Sequence, residues 1–123
     1  MMVRAIRGAT TVEVNSEQEI LDRTRELLQE MIQQNGISQE DIISVLFSVT
    51  ADLNAAFPAA AARRLGWTDI ALMGTYEMEV PGSLKKCIRV MMHINTEKQN
   101  SEMKYIYLND ARKLRPDLIE KSL

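Results

Sequence analysis

Apolar and polar positions along the chain follow two periods, one of two residues and one near 3.6, and together they predict a run of strands interrupted by two helices. Residues 2–14 carry β-branched side chains at Val3, Ile6, Thr10, Thr11, Val12 and Val14, which favours a strand. Gly8 follows Arg7 in that run, where a missing side chain lets a ligand or another backbone come close. Ser16 with Glu19 three residues on has the form of a capping box. Ile20, Leu21, Thr24, Leu27, Leu28, Met31 and Ile32 then fall at helical spacing, and Asn35-Gly36 is a stop signal. Ser38 and Asp41 cap a single turn leading into 42–50. There Ile43, Val45, Phe47 and Val49 alternate and predict a strand with one buried face.

Residues 52–57 read as a loop, Pro58 suits the first position of a helix, and that short helix runs through 59–65 to end at Gly66. Two more strands are expected at 69–80 and 87–95, with Pro81-Gly82 as the turn signal between them. A polar loop at 97–102, a short last strand at 104–108, a helical turn capped by Asp110 and a charged tail from Arg115 complete the chain. Strands with only two sizeable helices indicate an α+β domain, a mixed sheet with helices on one face.

Composition narrows the function classes. The 123 residues make one domain, with 46% hydrophobic and 26% charged residues, ordinary for a globular protein. A net charge of −2 gives no global attraction to nucleic acid or to an anionic membrane, so any anion site is local. One cysteine, Cys87, excludes an internal disulfide, and one cysteine with one histidine, His93, argues against a zinc site. No signal-peptide-like apolar stretch opens the chain and no run approaches the roughly 18 apolar residues of a membrane span, so a cytoplasmic location is expected.

Candidate chemistry lies in charges set within apolar runs. Arg7 sits in the first strand and Arg89 in Cys87-Ile88-Arg89-Val90-Met91-Met92. A guanidinium cannot shed its charge, so burying one is costly unless an anion meets it. With Glu77 in a third strand-like segment, these residues suggest a pocket for a small anion. Each also has a plainer reading. In a strand, Arg89 shares a face with Cys87, Met91 and His93, and a solvated arginine can cover neighbours with its stem. Arg7 suits an edge strand, and Glu77 with Glu79 suits a solvent-facing pair. Tyr107 suits a core or edge aromatic with a wet hydroxyl, and Arg63 and Arg64 suit solvated charges on a short helix. Cys87 and His93 read as packing residues, too far apart to exchange a proton. Lys85-Lys86 is too small for a nucleic-acid patch.

Longer strings add a resemblance. RGATTVE at 7–13, FPAxAxR at 57–63, EMEV at 77–80, LKKCIRVMM at 84–92 and YLxxA…LRPDL at 107–118 resemble the monofunctional, Bacillus-type AroH-class chorismate mutases, in register almost end to end. The resemblance implies a single chorismate mutase domain over 1–123 that converts chorismate to prephenate in phenylalanine and tyrosine biosynthesis. The reaction is a pericyclic rearrangement with no cofactor, metal or covalent intermediate. It implies a trimeric pseudo-α/β-barrel with sites between subunits. By motif, Arg89 meets the ether oxygen and the enolpyruvyl carboxylate, Arg7 and Tyr107 hold that carboxylate, and Glu77 accepts the ring hydroxyl and opposes the cationic ring. Phe57, Arg63, Met73, Gly74 and Leu114 complete the substrate-binding set, and Arg115 belongs to a tail, about 115–123, over the site. Phe57 and Arg63 come from one chain, and Arg7, Glu77, Arg89 and Tyr107 from its neighbour. Two departures stand out: Gly74 replaces a cysteine and Ala60 a lysine of the best-known relatives. The alternatives are a non-catalytic trimeric sensor of small carboxylates, and a general acid/base enzyme using Glu77 or His93.

Overall fold

The computed structural model describes residues 1–114. Its elements are β1 (Met2–Thr11), α1 (Glu17–Asn35), β2 (Ile42–Val49), α2 (Ala59–Arg64), β3 (Ala71–Tyr76), β4 (Cys87–Thr96) and β5 (Ile106–Tyr107). Single 3-10 segments lie at Gln39–Asp41, Asn100–Glu102 and Asn109–Leu114. The strands form one mixed sheet in the order β3-β2-β4-β1-β5. β4 runs antiparallel to both of its neighbours, whereas β3 is parallel to β2 and β5 to β1.

Helix α1 begins and ends on local chemistry. Ser16 Oγ accepts the Glu19 N–H at 3.1 Å, one arm of the expected capping box. The other arm goes elsewhere: Glu19 Oε1 accepts the Glu13 N–H at 3.2 Å and so ties the incoming chain to the helix. At the far end Gly36 adopts φ 59°, and the Ile37 N–H reaches back to the Ile32 carbonyl at 3.1 Å, which closes the last turn. Ile20, Leu21, Thr24, Leu27, Leu28 and Met31 are buried along one stripe.

That stripe packs on one face of the sheet. Ile6, Val45, Phe47, Val90 and Met92 form a single buried cluster with Leu27, Leu28 and Met31 of α1 and Ala59 and Ala62 of α2, so both helices share a side, as expected. Gly8 lies at the closest approach. A Cβ there would fall 2.6 Å from Met31 Sδ and 3.1 Å from Leu27 Cδ1, so the space left by the glycine is used by α1 rather than by a ligand.

Several boundaries differ from the sequence reading. β1 ends at Thr11 and not at residue 14. In β2 a bulge between Ile42 and Ser44 shifts the alternation, so that Ile42 is buried and Ile43 exposed. β3 stops at Tyr76, and residues 77–86 form a loop. Its tip is a turn closed by Ser83 N–H to the Val80 carbonyl at 3.0 Å, with Gly82 at φ 83° after Pro81, the pattern of a type II turn. β3 and β4 are not neighbours, because β2 lies between them. β5 shrinks to two residues, since the Asn35 side chain binds the Lys104 N–H and carbonyl at 2.8 and 2.9 Å and holds that backbone off the sheet. The final turn begins at Asn109, in the left-handed region at φ 55°, and the Asp110 N–H donates to Thr11 Oγ1 at 3.1 Å.

Candidate active site

Register decides what gathers on the other face of the sheet. Ala9 and Ser48 flank Arg89 on the two neighbouring strands, Arg7 and Leu46 flank Met91, and Ala9 also pairs with Tyr107. Arg7 and Arg89 are therefore diagonal neighbours across β1 and β4 on the side away from the helices. Glu77 joins them although it lies beyond β3. Its backbone N–H donates to the Val49 carbonyl at 2.8 Å, extending the β2–β3 pairing by one bond.

The result is a cleft of about 430 Å³ whose lining includes Arg7, Ser48, Glu77, Arg89, Tyr107 and Leu114. Arg89 Nε lies 3.1 Å from Glu77 Oε2, with the two side chains 31% and 29% exposed. Solvent screens such a pair, so it adds about 1 kcal/mol or less to folding; its consequence is orientation. The Ser48 hydroxyl is 3.5 Å from the same oxygen, and Glu77 Oε1 accepts the Met78 N–H at 3.0 Å. With Nε facing Glu77, the guanidinium retains its other donors for an anion in the cleft. Arg7 is half-buried and adds a second positive charge.

Neighbouring groups do not supply a nucleophile or a proton carrier. Burial pushes the Cys87 thiol up, and the charge and hydrogen bond of Arg89 only partly oppose this, so the sulfur stays protonated near neutral pH. His93 lies further along β4 with Nδ1 3.2 Å from Ser44 Oγ, outside the lining of the cleft. Both are packing residues here.

Of the residues proposed from sequence, the structure brings together Arg7, Glu77, Arg89, Tyr107 and Leu114. It does not bring the rest to them within one chain. Phe57, 78% exposed, and Gly74 line a separate cleft of about 670 Å³ beside β3 and α2. Arg63 and Met73 are exposed and line neither cleft, and Arg115 lies outside the described residues. Glu79, expected to share a face with Glu77, is exposed on the loop, because the strand ends before it. Ser48 was not singled out by sequence. Its signal was a small hydroxyl on the face opposite Val45, Phe47 and Val49.

A mixed sheet with helices on one side and a two-arginine, one-glutamate cleft on the other defines a small α+β domain with a charged cleft. Residues 3–118 match the family described as chorismate mutase type I. The chain belongs to the type I chorismate mutases. It is 48% identical over 119 residues to chorismate mutase AroH of Bacillus subtilis (strain 168), covering 96% of this chain and 94% of that one. To chorismate mutase AroH of Thermus thermophilus it is 48% identical over 118 residues, covering 95% and 97%. The solved structure of a chorismate mutase from Clostridium thermocellum matches with TM-score 0.88 and 58% identity, over 89% of this chain and 97% of that one. The protein is thus an isomerase, a chorismate mutase of aromatic amino-acid biosynthesis.

Proposed function

We propose that the Arg7–Glu77–Arg89–Tyr107 cleft is where chorismate becomes prephenate, by conformational restraint and electrostatic stabilisation. The rearrangement breaks the ether C–O bond and forms a C–C bond within one molecule, and no proton or group leaves. When C–O cleavage runs ahead, negative charge grows on the ether oxygen and positive charge on the ring. The observation that carries the reading is the Arg89–Glu77 pair, opposite fixed charges 3.1 Å apart on one cleft wall. Arg89 stabilises the oxygen, and Glu77 opposes the ring and accepts its hydroxyl. Arg7 and Tyr107 hold the enolpyruvyl carboxylate in the chair-like geometry, which removes orientational freedom before the bond breaks. An acceleration of ~10⁶-fold requires about 8 kcal/mol. A preorganised donor at a developing oxyanion supplies about 3–4 kcal/mol of that.

The proposed assembly is a homotrimer with the site between subunits, and the proposed location is the cytoplasm. Two features of the chain support the assembly. Its open sheet face exposes Val3, Leu46, Met73 and Met91, apolar surface that a second chain would cover. Phe57 and Gly74 line a cleft other than that of Arg89, so the full residue set meets only when two chains abut. Phe57 and Arg63 would then be contributed across the boundary to the neighbour's Arg89 cleft, with the tail that begins at Arg115 covering it.

The test is loss of chorismate absorbance on adding purified protein, with prephenate identified as product. Turnover with a rate nearly flat across neutral pH is expected. A bell-shaped profile would return the general acid/base mechanism. Binding of a dicarboxylate transition-state analogue without turnover would favour a sensor.

A further inference from the structure

Both members of the Arg89–Glu77 pair are pegged to one short stretch, the end of β2 and the residues just after it. Val49 accepts the Glu77 N–H, and Ser48 approaches the Glu77 carboxylate. Immediately beyond, the Thr50 hydroxyl accepts the Cys87 N–H at 3.0 Å and donates to Asp52 Oδ1. The Thr50 N–H donates to the Cys87 carbonyl at 3.1 Å. The Asp52 carboxylate accepts the Lys86 N–H, at 3.0 Å from Oδ2 and 3.2 Å from Oδ1. The Lys86 carbonyl in turn accepts the Val12 N–H at 3.0 Å, and Lys86 Nζ donates to the Glu13 carbonyl at 3.1 Å. Three strand ends meet in this knot.

Lys86 has φ 49°, and among the described residues only Asn109 shares a positive φ without being glycine. A long side chain in that region persists only where its surroundings over-determine it. Here the fixed point is the base of loop 77–86. Met78, Val80, Pro81 and Gly82 are exposed and the loop borders a hollow of about 490 Å³, while Leu84 packs against the Cys87 cluster near the Lys86 end. Asp52 is itself exposed and lies outside the lining of the Arg89 cleft, so its influence on the reaction is indirect.

We infer that Asp52 is a positioning residue for the rearrangement. Its carboxylate latches Lys86 in the left-handed conformation at the entry to β4, and this sets Cys87 and, two residues on along the same face, the Arg89 guanidinium against Glu77. The inference deepens the chorismate mutase reading and rests on it.

Steady-state kinetics on the full chain test it. Asp52→Ala is expected to lower kcat about tenfold, or 1.4 kcal/mol. KM should change less than about twofold, since Arg7 and Tyr107, which hold the carboxylate, stay in place. Adding Lys86→Gly to Asp52→Ala is expected to restore kcat by about threefold or more, because glycine adopts the left-handed conformation without the latch. A merely structural aspartate would lose folded protein in step with activity and would not respond to the glycine. Should Asp52→Ala fail to fold, Asp52→Asn replaces it, with an expected kcat loss of about threefold that Lys86→Gly removes. An active parent whose kcat ignores the Asp52 substitution, or whose loss is the same with lysine and glycine at 86, overturns the inference alone. A parent that does not turn chorismate over overturns the functional reading and the inference with it.

Discussion

On the helix side of the sheet, Ile6, Val45, Phe47, Val90 and Met92 are buried against α1 and α2. On the other side the same three strands present Arg7, Arg89, Leu46, Met91 and Ser48, partly or largely open within one chain. The first face is completed by its own chain, and its residue choice is governed by volume and burial. The second is left largely open by the described residues, so it tolerates charges that a core would reject. A protein that divides its sheet this way separates stability from chemistry, and the two faces should respond to substitution in opposite ways.

Arg89→Ala is the strongest test of that division. Removing the guanidinium should cost about 10³-fold in kcat/KM, or ~4 kcal/mol, while the urea midpoint hardly moves. A loss of less than about tenfold would remove Arg89 from the central role. Arg89→Lys should also be poor, because one ammonium cannot face Glu77 and an anionic oxygen as a fork does. The reverse case is Leu28→Ala on α1, fully buried in the helix-side core. It should cost about 3 kcal/mol of unfolding free energy, read as a lower urea midpoint at matched protein concentration, with kcat of the folded enzyme unchanged. If Leu28→Ala lowered kcat as strongly as stability, the two faces would not be independent.

The same division explains what was legible from sequence. α1 was readable because its signals are local: Ser16, the 3.6-residue spacing from Ile20 to Ile32, and Gly36. The burial of Val45 and Phe47 followed from period-two alternation alone. Ile43 misled because a bulge is a property of the pairing with β4 and leaves no mark in the strand's own residues. Likewise, Met78 and Val80 continue the alternation of β3 although the strand has ended, since β2 offers no backbone partner past the Val49–Glu77 bond. Arg7, Glu77 and Arg89 were visible as charges in apolar runs. Ser48 and the Thr50–Asp52 knot were not, because small polar residues at a strand end look like ordinary turn chemistry until the register sets them against Arg89 and Lys86. Phe57 and Arg63 acquired a role only through family resemblance, and a single chain keeps them apart from the arginines.

Cys87 gives the finest test, because it sits on the open face at a place where the described residues of this chain cover that face. Ala9, Tyr107 and Ala111 bury it, with Leu84 and Leu114 against the cluster. Burial raises its folded-state pKa above that of the unfolded chain, where the thiol titrates in the ordinary range. The folded state therefore retains a proton that the unfolded state releases. The resulting stability is fully present below the unfolded pKa and is lost as pH rises from there through the folded pKa. Stability should accordingly fall above about pH 8.5, by at most ~1.4 kcal/mol per pH unit from this group. Cys87→Ala should show a flatter decline than the parent between about pH 8 and pH 10, with other titrating groups common to both proteins. Parallel declines would mean that the 109–114 turn does not shield the thiol in solution, and the open face would then be uncovered along its whole length.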